Sequence, residues 1–308
     1  MRQIKTSHFL SKSLMFLSIL TLFLSVFATA SHAEKLKLLI IDGQNNHAWA
    51  KTSPVMKKTL LASGRFTVDV STSPARNNKD KTAWEQWRPD FKKYDVVLSN
   101  YNGAMWPDAV QKSFIAYVKG GGGFVCVHAA NNSFGNWKEY NEMIGLGGWG
   151  GRSEKSGPYV YYHDGKIIKD MVKGRGGSHG RQHPFTVNIR DTEHPITKGL
   201  PTEWLHEKDE LYDRLRGPAK NMTVLATSFS DPKTGGRGKH EPMMMVLEYG
   251  KGRIYHTPMG HADYSMKCAG YIFTLSRGCE WAATGKVTLN DIPKDFPTKD
   301  KLSIRDVK

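Results

Sequence analysis

Three short, almost wholly apolar runs constrain this chain more than any other feature: residues 35–42 (KLKLLIID), 94–99 (YDVVLS) and 124–128 (FVCVH). Each is too short for a core helix, is rich in Val, Leu and Ile, and leads into a polar loop. That is the pattern of a strand buried on both faces. Between them, residues 54–63 carry helical spacing (Val55, Met56, Leu60, Leu61), residues 65–71 alternate as a strand, and residues 107–119 read as a helix with Pro107 at its first turn. Strand and helix alternating at this spacing require parallel strands joined by right-handed crossovers. The expected fold class is therefore α/β, an open, mostly parallel sheet with helices on both faces. Ligands bind such sheets beyond the carboxyl ends of the strands, so GQNNHAW, NYNGAMW and AANNSFGNW should surround one site.

The second half is organised differently. Residues 145–180 are Gly-rich and polar, opening with GLGGWGG and closing with GRGGSHG, as an insertion or mobile lid would be. Further strands are expected at 183–189, 223–228, 242–249 and 252–258, and a closing apolar-faced helix at 264–283. Residues 286–308 are Lys-rich and read as a surface tail. The domain proper thus spans 34–285.

Residues 1–33 stand apart. Arg2, Lys5 and Lys12 precede an apolar run at 14–30, and Ser31-His32-Ala33 offers small residues before Glu34. This is the layout of a cleaved export signal, which places the mature protein in the periplasm or outside the cell. The competing reading is an uncleaved anchor, since the run is nearly long enough to span a bilayer. No other run of that kind follows, so no membrane association is expected after cleavage. Loss of the three charges lowers the formal charge from +15 to +12. The remaining Lys and Arg residues are dispersed and form no basic helix or aromatic-interleaved module. Nucleic acid is therefore not an expected partner. Self-association into a homo-oligomer is left open.

Cys126, Cys268 and Cys279 are too few for a disulfide framework. Cys126 lies inside an apolar strand. Cys268 and Cys279 fall on the closing helix eleven residues apart, too far along its axis to bond. Three buried thiols are expected.

Polar clusters follow three of the expected strands: Asn45-Asn46-His47 with Trp49, His128 with Asn131-Asn132, and Gly260-His261-Ala262-Asp263. Together with GGGFVCVHAA, the HPITKGLP connector, DELY, EPMMMVLEYGKGRIYHTPMGH and RGCEWAATG, this order of motifs resembles the ThuA-like, trehalose-utilisation family, from about residue 35 to 285. The resemblance implies a fold similar to the class I glutamine amidotransferases. In those enzymes a nucleophilic Cys occupies a tight G-x-C-x-G turn, and a late His-x-Glu completes a triad. Here His128 or Ala129 stands at the turn, and Cys126 lies two residues earlier without the flanking glycines, so thiolate catalysis is not expected. His261 and Asp263 fall where the late pair would be, and Asp263 is expected to orient His261.

The resemblance also implies sugar substrates, especially 3-keto glycosides. A keto group acidifies the adjacent C–H, so such a glycoside can be cleaved by elimination or hydrolysis, or isomerised by enolisation, given a base and a group that stabilises an enolate. His47, His128 and His261 with Asp263 and Glu210 are the expected catalytic set. Asn46, Asn131, Asn132 and Trp49 are expected to hold the sugar. No H-E-x-x-H spacing occurs, but a divalent metal assembled across loops by His47, His128 and His261 with Glu210 or Glu241 is compatible with the ligand chemistry. Trp106 and Trp137 share the ligand-facing loops and are candidates for stacking on a sugar. His32, His163, His179, His183, His206 and His240 are read as surface or turn residues. The other reading, of a different class, is a non-catalytic sugar-binding or sensing protein on the same scaffold.

Overall fold

The computed structural model describes residues 34–78 and 80–307, together with Met1. The expected export signal at 1–33 lies outside the described residues. Within the body that begins at Lys35, the apolar runs form strands where the sequence places them: β1 (Leu36–Asp42), β2 (Phe66–Thr72), β3 (Val96–Ser99) and β4 (Gly123–Val127). They alternate with the helices α1 (Trp49–Ala62), α2 (Lys81–Gln86) and α3 (Asp108–Lys119). Pro54 lies inside α1, which begins five residues before the expected start at 54; a proline close to a helix N-terminus removes few bonds. α4 (Lys138–Ile144) follows β4, and then the Gly-rich insertion supplies β5 (Tyr159–His163), β6 (Lys166–Asp170) and β7 (Ser178–His179). The chain continues through β8 (His183–Ile189), β9 (Glu203–Asp209), β10 (Tyr212–Asp213), β11 (Met222–Phe229), β12 (His240–Tyr249) and β13 (Gly252–Thr257).

The main sheet runs β2-β1-β3-β4-β13-β12-β11-β8-β9. Neighbours from β2 through to β13 are parallel, and from β13 onward each pair is antiparallel. The parallel half is buried on both faces, as its near-continuous apolar sequence requires. One face packs residues of α1 and of α6 (Ala269–Thr284), including Met56, Leu60, Leu275 and Cys279. The other packs Val110, Phe114, Tyr140 and Ile144 of α3 and α4. The expected closing helix is in fact two, α5 (Asp263–Met266) and α6, with Cys268 at the N-cap of α6. All three cysteines are buried and unpaired.

Two expectations are revised here. The segment at 286–308 is integrated into the fold and does not hang as a surface tail. Phe296 is buried against Trp204 and Phe273, and the backbone at Thr298, Ser303 and Arg305 bonds to Leu205, Ala269 and Lys267. The insertion, read as a mobile lid, is clamped by two buried arginines. Arg152 donates to the carbonyls of Asn132, Ser133 and Gly148, and Arg216 donates to those of Gly157, Val172 and Gly174 while stacking on Tyr159. Among the described residues no helix is long and apolar enough to cross a membrane.

Candidate metal centre and active site

Because β1, β3, β4 and β13 are parallel, the loops that follow them leave the same edge of the sheet. His47 enters from the loop after β1, where its N–H donates to Asn45 Oδ1 at 3.0 Å, and the Asn45 amide donates to the Asn100 carbonyl after β3. His128 is the first residue after β4 and has φ +45°, in the left-handed region that costs a non-glycine residue energy. It opens the sharp strand-to-helix turn after β4, the turn at which the sequence places His128 or Ala129. Cys126 lies inside β4, fully buried, where desolvation pushes its thiol far above the usual range. His261 follows β13, and Glu210 comes from the turn after β9.

These four side chains converge. One candidate ligand atom from each of His47, His128, Glu210 and His261 lies within 4.8 Å of all the others. Glu210 Oε2 is 3.9 Å from His47 Nε2, 3.6 Å from His128 Nε2 and 3.1 Å from His261 Nδ1. His128 Nδ1 donates to the Pro258 carbonyl at 2.6 Å, which fixes the tautomer and leaves the Nε2 lone pair facing inward. His47 Nε2 accepts from the Asn46 amide at 3.0 Å and faces the Tyr212 hydroxyl at 3.2 Å. His128 Nε2 and His261 Nδ1 are buried yet make no aligned hydrogen bond, although Glu210 Oε2 is close to both. The nitrogens crowd one carboxylate oxygen, and an ion at the point they share would satisfy all four groups at once.

The electrostatics agree. Burial pushes His47 down, and the neighbouring His128 and His261 push it further, to about 4, so it is a neutral ligand at neutral pH. Burial alone would raise the Glu210 carboxyl, but the imidazoles of His128 and His261 outweigh it and hold the group far below the carboxylate range. His261 is lowered by burial and raised by Glu210, with a net upward shift. Three imidazoles and a carboxylate suit a first-row divalent ion such as zinc. Glu241, the other carboxylate expected to be available, is buried away from this cluster and paired with Arg237.

Beneath the cluster lies Asp209, fully buried. Its Oδ1 accepts the N–H groups of Glu210 (2.8 Å) and His261 (3.0 Å), and its Oδ2 accepts those of Gly260 (2.7 Å) and the His206 imidazole (2.8 Å). One carboxylate thus fastens two ligand-bearing loops together. His206, read from sequence as a surface or turn residue, is fully buried for this reason.

Over the cluster opens a cavity of about 390 Å³ lined by Asn46, His47, Arg76, Asn102, Asn132, Trp149, Gly150, His179, Glu210 and Tyr212. That volume falls in the range of small-molecule sites, about 300–1,000 Å³. Asn46 and Asn132 line it as expected. Asn131 does not: it is buried, with its amide on His256 Nε2 at 3.1 Å. Trp49 is the first residue of α1 and is not among the lining residues. Trp106 and Trp137 are core residues, packed mostly edge-on among Phe114, Phe134 and Tyr140. Asp263 begins α5 and forms no ion pair with His261 among the described residues; the carboxylate beside that imidazole is Glu210. Proximity in sequence pointed to the residue two positions on, whereas the helical turn starting at Asp263 leads that side chain elsewhere.

Sequence reasoning missed Tyr212, Trp149, His179, Asn102 and Arg76. Tyr212 was legible as the aromatic of DELY, two residues after Glu210. Trp149 was legible as a single bulky residue amid glycines. His179 was set aside as a surface residue, yet its Nε2 is 3.9 Å from Glu210 Oε2, with Nδ1 donating to the Gly180 carbonyl.

Solved structures place the fold. A ThuA-like protein from Parabacteroides merdae ATCC 43184 is 48% identical, with a TM-score of 0.84, over 88% of this chain and 98% of that one. A ThuA-like protein from Bacteroides uniformis ATCC 8492 shares the fold at 21% identity and a TM-score of 0.53, over 84% and 96%. Among curated proteins none matches the chain. The family described as ThuA, trehalose utilisation, matches residues 37–282, so the chain belongs to the ThuA family.

Proposed function

We propose that this chain is an exported carbohydrate-active enzyme that acts on keto-glycosides by acid/base chemistry at a divalent metal centre held by His47, His128, His261 and Glu210. The observation that carries the proposal is the convergence of three imidazoles and one carboxylate at the floor of a cavity walled by amides and an aromatic ring. A bound ion would act as a Lewis acid, withdrawing charge from a substrate keto oxygen and from the enolate formed beside it.

The chain's own residues do the rest. His128 Nε2 presents its lone pair toward the focus, His47 Nε2 and His261 Nδ1 would take up an ion in exchange for the Asn46 amide and for a proton respectively, and Glu210 supplies the negative charge that offsets a cation. Asn46, Asn102 and Asn132 offer donors and acceptors to sugar hydroxyls. Asn102 donates to Asn46 Oδ1 at 2.6 Å, which keeps that pair oriented. Burial and the charge of Glu210 push Tyr212 well above its ordinary range, so its hydroxyl stays protonated as a donor at the cavity wall. His179 lies outside the ligand set and lines the cavity, with its Nε2 3.9 Å from Glu210 Oε2. It accepts the proton from the carbon next to the keto group and returns it to the leaving oxygen or to the neighbouring carbon.

The test is turnover of a panel of glycosides and their 3-keto derivatives by the mature protein, with and without chelator. Turnover of keto-glycosides that chelation abolishes and metal restores is the expected result. Binding of the sugars with no turnover under any condition would instead make the chain a sugar-binding protein on this scaffold.

A further inference from the structure

The main sheet ends in the strands β2, β9 and β6, and each end leaves a row of backbone groups to be paired or protected. β9 is already covered, since the Leu205 N–H donates to the Thr298 carbonyl of the C-terminal segment at 2.9 Å. β2 pairs with β1 alone, but pairing two copies about its centre would set Asp69 against Asp69, a like-charge contact. β6 pairs with β5 alone. Asp164 and Gly165, with φ +46° and +78°, form the two-residue turn that joins these strands. Such a turn makes His163 with Lys166 the first pair that exchanges both backbone bonds, and Tyr161 with Ile168 and Tyr159 with Asp170 follow in alternation. Ile167 and Lys169 therefore turn their N–H and C=O groups outward, with no strand beside them among the described residues.

An open edge is usually defended by lysine, whose charge repels a second strand. Here the central lysine is drawn back, because Lys169 Nζ donates to the Ala219 carbonyl of its own chain at 2.7 Å. The other charges are self-complementary. A two-fold axis through Ile168 sets Lys166 opposite Asp170 of the second copy at both ends of the strand, and Ile167 opposite Lys169. Neither Lys166 nor Asp170 forms an ion pair among the described residues. The same register suits the backbone, since the outward groups of Ile167 meet the outward groups of Lys169. Ile167, Met171 and Val172, on this strand or just after it, are exposed large apolar side chains whose burial adds to the seam. We infer that the β6 edge is a self-association surface, on which a second copy of this chain pairs antiparallel with Ile168 facing Ile168. A seam this short belongs with small, transient interfaces, below about 1,200 Å², so the dimer exchanges with monomer.

The experiment is sedimentation velocity of the mature protein over a range of concentrations, with charge variants and a disulfide trap. Wild type should pass from monomer to dimer as concentration rises. Lys166→Glu sets a carboxylate against Asp170 at both ends of the seam and should weaken association about tenfold or more, and Asp170→Lys should do the same with paired lysines. The double variant restores opposite charges in reverse order and should return to within about threefold of wild type. Ile168→Cys brings two thiols together at a non-hydrogen-bonded pair, about 4.5 Å between Cα atoms, and should oxidise to a cross-linked dimer; Lys166→Cys, out of register with its own copy, should not. Melting temperature keeps folding separate: Lys166→Glu alters an exposed side chain and should melt within about 2 °C of wild type. A wild type that stays monomeric at about 0.5 mM, charge variants that associate as wild type does, a double variant no better than the single ones, or equal cross-linking of the two cysteine variants would overturn the inference.

Discussion

Asp209→Asn tests how the centre is held. In the native fold two oxygens take four donors, two each. An amide can replace only one oxygen, and whichever it replaces, two buried donors then face an NH2 group. Each orphaned donor costs about 1–3 kcal/mol, so the substitution should destabilise the protein by roughly 3 kcal/mol or more. For a chain of this size that is a fall of about 6–12 °C in melting temperature. The charge has its own signature. Burial alone would push the His206 imidazole down, but its bond to Asp209 outweighs burial and lifts it to about 9. A histidine raised from 6.5 stabilises the fold fully below about pH 6.5 and loses that contribution as pH rises through about 9, a change worth roughly 3 kcal/mol. The gap between wild type and Asp209→Asn, measured by urea unfolding with circular dichroism, should therefore be widest near pH 6 and narrow by pH 9.5. A gap below 1 kcal/mol at pH 6, or one that does not change with pH, would refute the reasoning.

Other outcomes follow from the same geometry. His128→Ala and His261→Ala should each lower turnover by ~10² or more, and His128→Ala, which strips the Pro258 carbonyl of its buried donor, should also cost about 1–3 kcal/mol of stability; a loss of turnover under tenfold would count against their roles. Cys126→Ala should cost about 1 kcal/mol in unfolding free energy and leave turnover intact, whereas covalent trapping of this thiol by a substrate-like electrophile would revive a thiolate mechanism. Arg152→Met should destabilise by about 3 kcal/mol, because the carbonyls of Asn132, Ser133 and Gly148 lose their buried donor; a stable variant with unchanged sugar binding would show that the clamp is dispensable. Mass spectrometry of the native protein should find an N-terminus near Glu34, and an intact Met1 in the mature pool would contradict export with cleavage.

The parallel half of the fold was legible because burial on both faces leaves an unmistakable trace: KLKLLIID, YDVVLS and FVCVH each became a strand. His47, His128 and His261 were legible for a related reason, since a polar residue just past such a strand has one place to go. Glu210 was legible as a candidate in DELY, but sequence could not show that it, and not Glu241 or Asp263, closes the site. Glu210 arrives from the antiparallel half, and its approach to His261 depends on Asp209 gathering N–H groups from two distant loops. Asp263 looked the better partner only because it is two residues away in sequence. Trp106 and Trp137 looked like ligand contacts because their loops face the site. An indole that finds Phe114, Phe134 and Tyr140 within reach buries itself among them, and the exposed aromatic came instead from a glycine run.

The central claim is that His47, His128, His261 and Glu210 hold one divalent ion. Elemental analysis of the mature protein and of Glu210→Ala, after exhaustive dialysis and reloading with excess zinc, tests it most directly. About one tightly held ion per wild-type chain, and far less in a folded Glu210→Ala, is the result this geometry requires. A wild-type chain that retains no stoichiometric metal, or a Glu210→Ala variant that retains it equally, would contradict it.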